Sequence, residues 1–251
     1  MRMLCFICLA LGMQVSARAS CNTLPVLSTS VADFHVRQIS RIEALLIFGE
    51  ERNLCFGIEK VDTTLLTKLS DFDIGKTTVE GAIRSILGSD HSVTIEQHFG
   101  IIEIIPVPRR AKSENIFDVV IPEWQAQRGN LQLVSWLLHI QLVQDLNPQI
   151  QGLGGSTEVG NTEYQVGPFS ERKLPVRYLL DKIVAQSRGG AWIAQIPWKE
   201  VGNFCLLENH RAWTILEYGA PRSNYSALLS GIAVELNLGA ETKDKPPSFP
   251  P

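Results

Sequence analysis

One pattern occurs twice in this chain, and it limits the fold more than any other feature. Phe72-Asp-Ile-Gly-Lys-Thr-Thr-Val79 is matched by Phe169-Ser-Glu-Arg-Lys-Leu-Pro-Val176, with Phe, Lys and Val at the same offsets. Apolar residues then follow at Val79, Ala82, Ile83, Ile86 and Leu87, and in the second copy at Val176, Leu179, Leu180, Ile183 and Val184. Both sets run i, i+3, i+4, i+7, i+8, so each marks one side of an α-helix. Thr77 or Thr78 supplies an N-cap for the first helix, and Pro175 stands at the start of the second. Gly88 ends the first, and Gly189-Gly190 the second.

The surroundings of the repeat are also alike. After the first helix, Val93 to Gln97 and Ile101 to Ile105 predict a hairpin turning at Phe99-Gly100; after the second, Ala191 to Pro197 and Ala212 to Tyr218 predict another. Upstream, Ala32 to Val36 and Cys55 to Ile58 predict strands around a helix over Ile42 to Asn53, capped by Ser40. In the second half, a strand over Phe117 to Ile121 precedes a long helix, Leu131 to Leu146, stopped by Asn147-Pro148. The layout predicts an α+β fold of two tandem small modules, of βαβ and αββ type, with helices packed on short mixed sheets.

The ends and joints set the boundaries. Arg2, a run of apolar residues from Leu4 to Val15, and Ala17-Arg18-Ala19 read as a secretory signal over residues 1–19. That run is too short to span a bilayer, which takes about 20 residues. The first module covers 20–108, a polar linker 109–115, the larger second module 116–238, and a proline-rich disordered tail 239–251. With 23 basic against 26 acidic residues, nothing suggests nucleic-acid binding. The chain is expected to be periplasmic or secreted and not an integral membrane protein. Cys21, Cys55 and Cys205 remain beyond the signal, an odd number. One account lipidates Cys21 as a new N-terminus and pairs Cys55 with Cys205; another leaves three buried or free thiols.

From Phe34 to Pro106 the residues carry a resemblance. The helix Ile42-Glu-Ala-Leu-Leu, the strand Cys55-Phe-Gly-Ile, the stretch Thr78 to Gly88 and the ending Ile101-Ile-Glu-Ile-Ile-Pro106 resemble the short N-terminal domain of bacterial secretins and TonB-dependent transducers. The second half looks like a divergent, enlarged relative. The resemblance implies small βαβ sandwiches in the periplasm that dock other proteins, with no catalytic residue to carry over. No long series of alternating strands follows, so a secretin's outer-membrane barrel is not expected.

Motifs for chemistry are weak. Ser70-Asp-Phe-Asp-Ile-Gly75-Lys76-Thr77 approaches a P-loop, but Asp71 and Asp73 would repel phosphate. The Gly152-Leu-Gly154-Gly155 stretch lacks the third glycine of a dinucleotide fingerprint, Thr157 standing in its place. None of the histidines His35, His91, His98, His139 and His210 forms H-x-x-x-H or H-x-H. Glu96 and His98 share a strand face and offer two metal ligands, fewer than the usual three or four. No nucleophile elbow or local triad signature occurs.

These readings predict a non-enzymatic docking module of the bacterial cell envelope, linked to secretion or TonB-type machinery, with a protein partner and no cofactor. The strands ending each cassette are the expected contact edges, which singles out Ile101, Ile102, Glu103, Trp213 and Tyr218. Trp124 and Trp198 adjoin prolines and are expected to be more exposed. They also serve the competing reading, a periplasmic protein that binds a small ligand or carbohydrate against aromatic walls.

Overall fold

The structure is a computed structural model; it describes residues 21, 26–59, 63–88, 93–107, 115–146, 148, 165–187, 189–194, 212–219, 225, 227 and 229–233. The chain enters through β1 (Ser30–Val31), β2 (Phe34–Ile39), α1 (Arg41–Arg52), β3 (Cys55–Ile58) and α2 (Thr63–Thr67). It continues through β4 (Ser70–Ile74), β5 (Thr77–Thr78), α3 (Val79–Leu87) and the hairpin β6 (Val93–His98) and β7 (Ile101–Pro106). A 3-10 turn (Ile116–Asp118) opens the second half, followed by β8 (Val120–Ala126), β9 (Gly129–Asn130) and α4 (Leu131–Leu146). Then come β10 (Gln165–Val166), β11 (Phe169–Pro175), α5 (Val176–Ala185), β12 (Gly190–Ala194) and β13 (Trp213–Glu217). The class is α+β.

Local chemistry places the helix ends. Ser40 Oγ accepts the Glu43 N–H at 3.2 Å and Thr78 Oγ1 accepts that of Gly81 at 3.1 Å, capping α1 and α3. Asn53 closes α1 in the left-handed region, at φ 55°. α3 begins at Val79 and α5 at Val176, the two valines that the repeat aligns. Both predicted stripes are buried throughout.

The halves, tandem in sequence, meet in one sheet of order β13-β12-β3-β7-β6. β12, β3 and β7 run parallel, and each flank closes with an antiparallel hairpin partner. The first copy's helices α1 and α3 cover one face, burying Phe56, Ile58, Ile102, Ile104, Ala191 and Ile193. The second copy's α4 and α5 cover the other, with Ile101, Trp192, Ala194, Trp213 and Ile215. Each helix pair is roofed by a two-stranded antiparallel ribbon, β2–β4 over α1 and α3 and β8–β11 over α4 and α5. The two halves thus share one layout as far as the hairpins. There the copies diverge, because the second strand of the first hairpin and the first strand of the second are the ones that flank β3.

The seam between copies requires a glycine. Trp192 is the register partner of Gly57, and a methyl added at Gly57 would stand 2.5 Å from Trp192 Cε2. The indole lies across β3 because that position has no side chain. Among the described residues no helix is long and apolar enough to cross a membrane.

The cysteines depart from expectation. Cys55 is disulfide-bonded to Cys21, not to Cys205, which lies outside the described residues. The bond fastens the segment before β1 to the central strand. It also consumes the Cys21 thiol, so no lipid can occupy that sulfur. The signal, the linker over 109–114 and the tail likewise lie outside the described residues.

Candidate functional site

α4 differs from α1, α3 and α5 in carrying apolar residues on an exposed side as well as on a buried one. Asn130 Oδ1 accepts the Leu133 N–H at 2.7 Å and starts it. Leu131, Val134, Ser135, Leu138, His139, Leu142 and Val143 are buried against the second core. The opposite side carries Leu133, Trp136, Leu137 and Ile140, again at i, i+3, i+4, i+7. Leu133 and Leu137 are each 37% exposed, where a surface helix ordinarily shows charge. Asp145 is the sole Asp, Glu, Lys or Arg in the helix.

β13 runs beside this helix. Gln132 Nε2 donates to the Ile215 carbonyl at 2.9 Å, and Trp213 Nε1 donates to Ser135 Oγ at 2.8 Å. Trp136 stacks on His139 at 5.3 Å and 11°, and His139 meets Trp213 edge-on at 5.4 Å. Gln132, Ser135, Trp136, His139 and Trp213 line a shallow cleft there.

A second cluster is sealed between the halves. Pairing of β3 with β7 brings Glu59, just past β3, near Glu103, and the Glu59 N–H donates to the Ile104 carbonyl at 3.0 Å. Arg177 and Asp181, one turn apart on α5, reach in from the second face. Arg177 Nη1 is ion-paired with Glu59 and stands 3.6 Å from Glu103; its Nη2 reaches Asp118 at 2.7 Å. Asn115 Nδ2 donates to Glu59 at 3.2 Å, and Trp192 Nε1 donates to Asp181 at 2.8 Å. Arg177, Glu59, Glu103 and Asp118 have side chains no more than 6% exposed, so the cluster acts as a buried clamp between the halves.

Burial sets the protonation of this clamp. Desolvation pushes the Glu59 carboxyl up to about 7, against the opposing pull of Arg177 and the Asn115 hydrogen bond. Desolvation, with the neighbouring Glu103, also raises Asp181 well above the usual carboxylate range. A raised carboxyl means the folded state holds its proton more tightly than the unfolded chain. Stability from Glu59 is therefore fully present below about pH 4.5 and is lost as pH rises through about 7. Urea unfolding across pH 4.5–8 is expected to show this decline. Glu59→Gln, which mimics the protonated form, should flatten it and exceed the parent by about 2–3 kcal/mol at pH 8. A decline of unchanged size in the variant would refute the assignment.

The residues named from sequence are distributed differently from expectation. β7 lies between β3 and β6 and is buried on both faces, so Ile101, Ile102 and Glu103 offer no free edge. Trp124 is buried, its ring 5.1 Å from Phe169, and is no ligand wall. Trp213 is buried against Ser135, and Tyr218 donates its hydroxyl to the Leu54 carbonyl at 2.8 Å. Trp198 lies outside the described residues. Glu96 and His98 do share a face, with His98 Nε2 3.3 Å from Glu96 Oε2. Sequence reasoning missed the α4 stripe, although a helix without a polar side was in view. It missed the clamp, whose signals were a glutamate inside Ile-Ile-Glu-Ile-Ile and charges beside the apolar stripe of α5.

Comparison of the chain with known protein families, with curated proteins and with solved structures found no match.

Proposed function

We propose that this chain is an exported, non-enzymatic docking module of the bacterial cell envelope, built from two relatives of the short N-terminal domain of secretins and TonB-dependent transducers. The arrangement of each helix pair between a ribbon and a sheet face supports that kinship. The Cys21–Cys55 disulfide supports an oxidising compartment. The observation that carries the reading is the outward stripe Leu133, Trp136, Leu137 and Ile140. It fits an amphipathic helix of a partner protein, laid along α4 with apolar anchors at matching spacing. Helix docking is favoured over strand addition to β13, because Gln132 already occupies the Ile215 carbonyl.

A photo-crosslinking residue placed at Leu133 or Leu137 should trap one envelope protein, and the same residue at exposed Glu51 should not. Leu137→Asp should leave the melting temperature unchanged and weaken binding about 30-fold, the loss of one buried anchor of about 2 kcal/mol. Equal trapping from Glu51, or a homodimer that Leu137→Asp dissolves, would remove the proposal. A carbohydrate-binding reading retains one favourable feature, the half-buried Trp136 ring at the cleft. Quenching of tryptophan fluorescence by oligosaccharides, abolished in Trp136→Ala, would favour it instead.

A further inference from the structure

On the opposite flank, the first hairpin gathers three metal-binding side chains. Glu96 on β6 and Glu103 on β7 are register partners, and His98 lies two residues along on the same face. One ligand atom from each falls within 4.8 Å of the other two. A tetrahedral ion with N and O donors at about 2.0–2.2 Å places those donors roughly 3.3–3.6 Å apart. His98 Nε2 and Glu96 Oε2 already stand at 3.3 Å. The remaining closure is within the reach of glutamate side-chain rotation.

Glu103 supplies the second, independent observation. Its side chain is 1% exposed, and neither oxygen receives a hydrogen bond from an N–H, the raised Asp181 carboxyl being its hydrogen-bond partner. Arg177 Nη1 approaches Oε2 at 3.6 Å, and the Asp181 carboxyl adjoins it. Four carboxylates, those of Glu59, Glu103, Asp118 and Asp181, converge around the single guanidinium of Arg177. Glu96 and His98 are about a third exposed, which gives an ion a path in from solvent. The Tyr178 ring packs 5.1 Å from His98 and fixes the imidazole from the α5 side.

We infer that Glu96, His98 and Glu103 form a binding site for one divalent transition-metal ion, of which zinc is the best fit. One imidazole and two carboxylates, without thiolate, suit a borderline divalent ion and leave a fourth position open to water. The inference does not depend on the docking role of α4.

The test uses untagged full-length protein stripped with chelator, titrated with Zn²⁺ by calorimetry and with Co²⁺ by visible absorption. The expected result is one saturable ion per chain and d–d bands of a four- or five-coordinate cobalt centre. His98→Ala and Glu96→Gln should each weaken binding about tenfold or more while melting like the parent in chelator. Glu103→Gln should do the same where it folds; the two partly exposed ligands decide the matter if it does not. No saturable binding, or one-ion binding unchanged in His98→Ala and Glu96→Gln, would overturn the site.

Discussion

Arg177→Met should cost about 3–5 kcal/mol, the penalty for removing one partner from a buried ionic group. Methionine keeps much of the arginine's volume and apolar stem but leaves Glu59, Glu103, Asp118 and Asp181 facing one another without a cation. Arg177 reaches the end of β3, the middle of β7 and the turn before β8. Its loss therefore acts at the junction of the two copies rather than within either. Chains of this size hold roughly 5–15 kcal/mol in total, so the melting temperature should fall by about 10 °C. The double variant Arg177→Met, Glu59→Gln should recover part of the loss, since it removes one orphaned carboxylate. A loss below about 1 kcal/mol, or no recovery in the double variant, would show that the clamp carries little of the join.

Removing the disulfide should have an effect of similar size. Cys21 and Cys55 are 34 residues apart in sequence, and closing a loop of that length lowers unfolded-chain entropy by about 4 kcal/mol at room temperature. Cys21→Ala with Cys55→Ala should unfold at correspondingly lower urea. Dithiothreitol should bring the parent to nearly the same midpoint, the remaining gap reflecting the lost sulfur atoms in a buried site. A parent insensitive to reduction while its thiols become alkylatable would contradict this account.

Much of the fold was legible because the relevant forces are local. The α3 and α5 stripes, the Ser40 cap and the Gly88 stop all express interactions within a turn or two of helix, whereas α5 ends at Ala185 with Gln186 as its cap, ahead of the expected Gly189-Gly190. α4 runs over Leu131–Leu146, as its apolar span and the following Asn147-Pro148 indicate. What was not legible is set by pairing across long separations. Nothing near Phe56 announces that Ala191 will lie beside it. The run Ile101 to Ile105 looked like a free edge, yet a strand apolar on both faces belongs in the middle of a covered sheet, which is where it lies. The exposure expected of Trp124 was misjudged for the same reason: its proline neighbour describes the backbone, while its burial depends on the α4 and β11 residues packed around it. The metal-binding trio was two-thirds visible as Glu96 and His98, and strand register supplied the third member.

The glycine at the seam has a bearing on how such a chain can change over generations. Two halves packed by separate helices could each change on their own. Here Gly57 in one copy is small for the sake of Trp192 in the other. A variant that enlarges the first must await a smaller residue at the second. The two halves of this chain are therefore mutually dependent at this position, because each side of the contact limits the size the other can take.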